Sequence, residues 1–370
     1  MVSKIISFLK GICISLITLI ILFLLFEFIV FRFILKASDF PKIGFQHGVV
    51  KYIPNQRGVY RIKNEIKAQY RINSAGWNSY HKDYELETSK YRIAIIGDSY
   101  VAAFSVDYNQ SLAEQLEEKL GADSYQVYRF GICGAPLSQY LHILRKEVIY
   151  YAPDLVIFVL IHNDFEESYK FKQGVYTSSF LKLKIKDSTV VSEIEPTHFR
   201  QHWYSWLRNT STWRYLAYRQ RVKFTFLRNI ILGKEKTKKE YQANIPISSL
   251  QENWSNNIII TDYVLSKSKE TCEEIGAEFL IIIDGDRNSI YKMLESDELY
   301  KTGVLRLNSL VDSISKKYEV HFIDLHPIFM EDFSNCGKPF NAKIEGHWNQ
   351  YAHGLVASTV YEYLKTQINP

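Results

Sequence analysis

Four positions, far apart in a chain of 370 residues, are of the types that acyl transfer through a serine requires. A serine hydroxyl is a weak nucleophile until a base takes its proton, and it works opposite donors that receive the charge developing on the attacked carbonyl oxygen. Ser99 stands in Gly97-Asp98-Ser99-Tyr100, directly after the apolar run 91–96. Gly134 stands in Phe130-Gly131-Ile132-Cys133-Gly134-Ala135-Pro136, where the missing side chain lets a backbone N–H approach a ligand. Asn163, in Ile161-His162-Asn163-Asp164, offers an amide donor, and His347, in Glu345-Gly346-His347-Trp348-Asn349, offers a base. Singly, each has an ordinary explanation: Gly-Asp-Ser is a common turn, a glycine after a strand makes a turn, and a lone histidine is more often structural. Their order and placement give them weight.

The elements that must position them alternate. Residues 91–96, 126–130, 154–161, 278–283 and 319–323 read as buried strands, because each is a short, nearly continuous apolar run. Between and after them, residues 111–120, 137–151, 253–274, 305–317 and 350–364 carry apolar positions at helical spacing, with Asn349 placed as the N-cap of the last. Five such strands alternating with helices predict an α/β fold, a three-layer αβα sandwich around a five-stranded parallel sheet, in which ligands bind beyond the carboxyl ends of the strands. Ser99, Gly134, Asn163 and the loop before the last helix then share one sheet edge.

With these blocks in this order, the chain resembles the SGNH (GDSL-type) hydrolase family, closely over residues 91–161 and more loosely over 278–364. The resemblance implies a flavodoxin-like sheet order and assigns Ser99 as nucleophile and His347 as base. It also assigns the backbone N–H groups of Ser99 and Gly134 and the Asn163 amide as oxyanion hole, with neither metal nor cofactor. The G-x-S-x-G elbow of the α/β-hydrolases is absent. The family carries Asp two or three residues before the histidine, whereas this chain has Glu345 and Ile344 there. Either Glu345 completes a Ser99–His347–Glu345 triad or a backbone carbonyl orients His347 in a dyad. Asp98 is expected to brace the nucleophile turn, Asp324 to end a strand and Cys133 to be a buried neighbour of Gly134. Arg129 stands where related proteins often have Asn. Glu345, His347 and His353 lack the helix-face spacing of a zinc motif.

Residues 11–31 are apolar apart from Glu27 and match the roughly 20 residues that cross a bilayer as a helix. The run exceeds a signal-peptide core and no small-residue cleavage site follows it. The expected organisation is a transmembrane anchor at 1–36, a lead-in at 37–90 and a hydrolase-like domain at 91–370. A basic, aromatic insertion interrupts that domain at about 165–250. Charge on the two sides of the apolar run is nearly balanced; a short N-terminal tail favours a single-pass protein with an extracytoplasmic domain. The net charge of +5 is local, since residues 200–239 hold eleven Lys and Arg against Glu235 alone. That block reads as a helical subdomain packed on the core, as a surface lying on anionic lipid, or as an anionic-glycan site; no nucleic-acid motif accompanies it. Four scattered cysteines prescribe no disulfide framework. An anchored member with His-Trp-Asn resembles proteins that add or remove O-acetyl groups on bacterial exopolysaccharides. This implies an acylated carbohydrate substrate, an esterase or O-acyltransferase reaction, and for transfer an acyl-donor protein in the membrane. The alternative is a catalytically silent glycan-binding or assembly factor.

Overall fold

The computed structural model describes residues 2–170, 176–199, 203–222, 241–242, 245–294 and 297–368. The chain divides into two compact units: Met1–Phe40 with Val59–Lys67 and Gln201–Lys236, and Pro41–Gly58 with Ala68–Arg200 and Thr237–Pro370.

The second unit is built on five parallel strands, β1 (Tyr91–Gly97), β2 (Tyr125–Gly131), β3 (Leu155–Leu160), β4 (Glu278–Ile283) and β5 (His321–Asp324), in the order β5-β4-β3-β1-β2. The apolar runs predicted as strands are these strands to within two residues at either end, and every residue of β3 is buried. Burial on both faces is what continuous Val, Ile, Leu and Phe demand, and helices supply the cover. On one face lie α2 (Leu112–Leu120) and α7 (Gln350–Tyr363), packed against each other and with α6 (Leu325–Cys336) closing an apolar cluster over β1 and β3. On the other, α3 (Leu137–Lys146), α4 (Trp254–Glu274) and α5 (Arg306–Lys317) pack in sequence. One further helical turn, α1 (Ser99–Ala102), follows β1 directly.

Two differences from the sequence reading have local causes. The helix expected over 137–151 stops at Lys146, and a separate 3₁₀ turn, Val148–Tyr151, ends on Ala152 in the left-handed region. Helix α6, absent from the elements read in the sequence, begins at Leu325-His326-Pro327. Pro327 falls in the first turn, where its missing N–H is no loss, and Asp324 caps that turn by accepting from His326 N at 2.9 Å. The early part of the insertion forms an antiparallel hairpin, Lys182–Lys186 with Thr189–Ile194. It is fastened to α3 through Ser138 Oγ to Leu181 O (2.7 Å) and Leu181 N to Gln139 Oε1 (2.8 Å).

In the first unit, one N-terminal helix, Lys4–Ile34, is long and apolar enough to cross a membrane; 6% of its most apolar stretch is buried. Glu27 on this helix accepts from Ser211 N (2.5 Å), Thr212 N (2.9 Å) and Thr212 Oγ1 (2.8 Å). Its carboxylate thus satisfies the open N–H groups at the start of the short helix Ser211–Trp213. Phe31 stacks on Tyr215 at 4.8 Å, and Arg214 pairs with Asp39 at 2.6 Å. The described part of the basic block therefore folds with the N-terminal helix. Its continuation over 223–239 lies outside the described residues.

Candidate active site

Ser99 is the first residue of α1, and the turn that presents it depends on its neighbours. A side chain at Gly97 would collide with Val101, so only glycine lets α1 start this close to the strand. Asp98 is buried and caps α1, accepting from Tyr100 N at 2.8 Å, which is the bracing expected of it. Burial raises its carboxyl above the ordinary value, with the Tyr100 N–H and the charge of His347 pulling the other way.

His347 Nε2 lies 2.7 Å from Ser99 Oγ, and His347 Nδ1 lies 2.5 Å from Glu345 Oε1. These hydrogen bonds fix the tautomer: Nδ1–H donates to the carboxylate, which leaves the Nε2 lone pair facing the serine. Ser99 Oγ is also 3.0 Å from Asp98 Oδ2, but it has one proton, and the nearer acceptor is the imidazole. The carboxylate side chain is 6% exposed and the imidazole 32%, so the acid is shielded while the base reaches the solvent side. Glu345 Oε2 accepts from Ser105 Oγ at 2.7 Å. Ala103, at φ 52°, turns the chain after α1 and so brings Ser105 back to this carboxylate.

The loop carrying Glu345 and His347 is held from behind. Tyr100 OH donates to Gly346 O at 2.9 Å and receives Arg287 Nη2; burial keeps this phenol protonated, well above its ordinary range, although Arg287 pulls it down. Arg287 pairs with Asp284 at 2.6 Å, and Asp284 accepts from Trp348 Nε1 at 3.0 Å. Asp284 directly follows β4, so the histidine loop is referenced to the sheet itself. Sequence reasoning missed Ser105, Asp284 and Arg287. No spacing signals a contact that spans 240 residues, as Ser105 to Glu345 does.

Gly134 and Asn163 follow β2 and β3, the two neighbours of β1, so their loops flank the end from which Ser99 projects. Gly134 has φ +75°, and its N–H makes no hydrogen bond among the described residues. Asn163 Nδ2 donates to Asp164 Oδ1 at 3.3 Å, using one of the two N–H bonds of an amide nitrogen. Asp164 is fully buried, held by Tyr140 OH (2.7 Å) and Ile161 N (3.0 Å). Cys133 is half-buried rather than buried as expected; desolvation still pushes its thiol up to about 12, and the carboxylates of Asp98 and Glu345 add to that, so it stays protonated at neutral pH. Arg129 points elsewhere, paired with Glu114 at 3.2 Å beneath α2. His353 is 1% exposed and accepts from Leu112 N at 3.1 Å, which separates it from His347 in role. Among the described residues, no group of three His, Cys, Asp or Glu is arranged to hold a metal ion.

No model of a protein family and no curated protein matches the chain. Among solved structures it is similar to an acetyl xylan esterase (11% identity, 74% of this chain and 99% of that one, TM-score 0.40). It is also similar to a lipase/acylhydrolase from Enterococcus faecalis (14%, 74% and 95%, TM-score 0.38) and to a psychrotrophic esterase from Pseudoalteromonas sp. (12%, 76% and 100%, TM-score 0.38). Likeness this distant transfers no activity. The chemistry of this chain rests on its own side chains.

Proposed function

We propose that the chain is a membrane-anchored serine esterase or O-acyltransferase of the SGNH type, acting on O-acetyl groups of a cell-surface or exported polysaccharide through an acyl-enzyme on Ser99. The observation that carries this reading is the continuous hydrogen-bonded chain Ser99 Oγ, His347 Nε2, His347 Nδ1, Glu345 Oε1, at 2.7 and 2.5 Å. As the Ser99 oxygen adds to the ester carbonyl, its proton passes to His347 Nε2, and Glu345 stabilises the imidazolium. The oxyanion is received by the N–H groups of Ser99 and Gly134 and by the Asn163 amide. Collapse breaks the bond to the sugar oxygen, which takes the proton from His347, leaving acetyl-Ser99. Water or a second sugar hydroxyl then adds to this ester and gives its proton to His347; the acetyl group departs as acetate or on the acceptor, and Ser99 recovers its proton.

The carbohydrate assignment rests on the likeness in arrangement, an anchored chain with His-Trp-Asn, to proteins that handle O-acetyl groups on exopolysaccharides. Membrane attachment rests on the helix Lys4–Ile34, whose 31 residues span about 46 Å at 1.5 Å per residue against a hydrocarbon core of about 30 Å. We place the block at its membrane-water boundary, because Trp206 is 56% exposed beside Arg208 in the segment that Glu27 ties to the helix. An extracytoplasmic catalytic unit follows from reading the short tail as a signal anchor.

A fluorophosphonate probe tests the reading. The full-length protein in detergent should label at Ser99, and Ser99→Ala and His347→Ala should not. Absence of label in folded wild type would leave the silent glycan-binding role instead. Acetyl release from a model ester, followed with and without an oligosaccharide acceptor, separates transfer from hydrolysis: full turnover without acceptor excludes a dedicated transferase.

A further inference from the structure

The peptide between Cys133 and Gly134 has two polar ends. Its N–H belongs to Gly134 and is open among the described residues; its carbonyl belongs to Cys133 and accepts from Tyr176 OH at 3.1 Å. In a planar trans peptide, C=O and N–H point in opposite directions, so a hydroxyl that holds one end aims the other. The neighbouring peptide is fixed too, since Cys133 N donates to the buried Tyr52 OH at 3.2 Å. The Cys133 thiol, on the same loop, feels the carboxylates of both Asp98 and Glu345. Thr177 Cγ2 stands 3.4 Å from where a side chain at Gly134 would begin, so the segment carrying Tyr176 lies against this glycine. Two tyrosines from outside the sheet, one in the lead-in and one after β3, thus grip the loop that follows β2.

We propose that Tyr176 is a positioning residue for oxyanion binding: its hydroxyl holds the Cys133–Gly134 peptide so that the Gly134 N–H is turned toward the carbonyl that Ser99 attacks. This rests on the serine-esterase reading above. A hydrogen bond at the carbonyl end also polarises the peptide and strengthens its N–H as a donor. The insertion then contributes to the chemistry through the backbone, without touching the substrate.

The test uses full-length protein in detergent with Tyr176→Phe, which keeps the ring and removes the donor. On p-nitrophenyl acetate, kcat should fall about tenfold, the size of one hydrogen bond's net effect, with KM unchanged. The loss should shrink on the matching thionoester, because sulfur is a poor acceptor and draws little on an oxyanion donor. A variant at wild-type kcat, or an equal loss on both esters, would overturn the role of Tyr176. Failure of wild type to label with fluorophosphonate would instead overturn the serine-esterase reading, so the two failures are told apart.

Discussion

At the scale of single residues, the glutamate two positions before the histidine is the informative feature. The longer arm still reaches His347 Nδ1, and its second oxygen is taken up by Ser105. A glutamate has one more rotatable bond than an aspartate, so a second hydrogen bond is what a longer acid needs to stand still. Glu345→Gln should reduce the rate of Ser99 labelling by roughly 10³- to 10⁴-fold, because an amide presenting its NH₂ to Nδ1 selects the wrong imidazole tautomer. Wild-type labelling would mean that Glu345 is no part of the machinery and that a Ser99–His347 dyad remains. Ser105→Ala should cost about tenfold in kcat, the equivalent of about 1.4 kcal/mol. Steady-state kinetics with an acetyl ester would show it, and an unchanged kcat would count against positioning by Ser105.

At the scale of elements, α7 does two tasks: its N-terminus follows the His347 loop, and its first turns pack on α2. Asn349 caps it, accepting from Ala352 N at 2.9 Å as the sequence led one to expect, and Asn349→Ala should lower stability by about 1 kcal/mol in urea denaturation. One turn on, His353 Nδ1 accepts the first N–H of α2, which requires a neutral ring. Burial, then the charges of Arg129 and His347, push His353 down to about 3 from an ordinary 6.5. Between those values the unfolded chain binds a proton that the folded chain does not, so stability rises with pH and is lost as pH falls from 6.5 toward 3. The slope from this group approaches about 1.4 kcal/mol per pH unit. Denaturation midpoints measured across that range should fall less steeply for His353→Gln than for wild type. Parallel slopes would refute the assignment.

At the scale of the molecule, the chain assigns its residues to two units in an order that its sequence does not follow. The described basic segment joins the N-terminal helix through a carboxylate that sits among apolar residues, and a carboxylate there is costly unless it is fully hydrogen-bonded. Glu27→Ala would strip the Ser211 and Thr212 N–H groups of their acceptor, at a cost of about 1 to 3 kcal/mol. Limited trypsin digestion of the protein in vesicles should then cut faster at Arg208 and Arg214, with digestion at wild-type rate as the contrary result. The N-terminal helix should keep wild type in the membrane pellet through alkaline carbonate washing; release into the supernatant would contradict a spanning anchor.

The sequence by itself determined the sheet and one edge of it. Continuous apolar runs such as residues 155–160 can only be buried on both faces, and a parallel order then brings Ser99, Gly134 and Asn163 to adjacent strand ends. It also determined the caps, because Asp98 and Asn349 act within a few residues of themselves. Only the tertiary structure decided how the acid is held, since Glu345 finds Ser105 across 240 positions. The same holds for Arg287 behind Tyr100, Tyr176 on the Cys133 carbonyl and Glu27 under Ser211. Each of these is a hydrogen bond between elements, and local periodicity carries no information about which polar groups meet once the elements have packed.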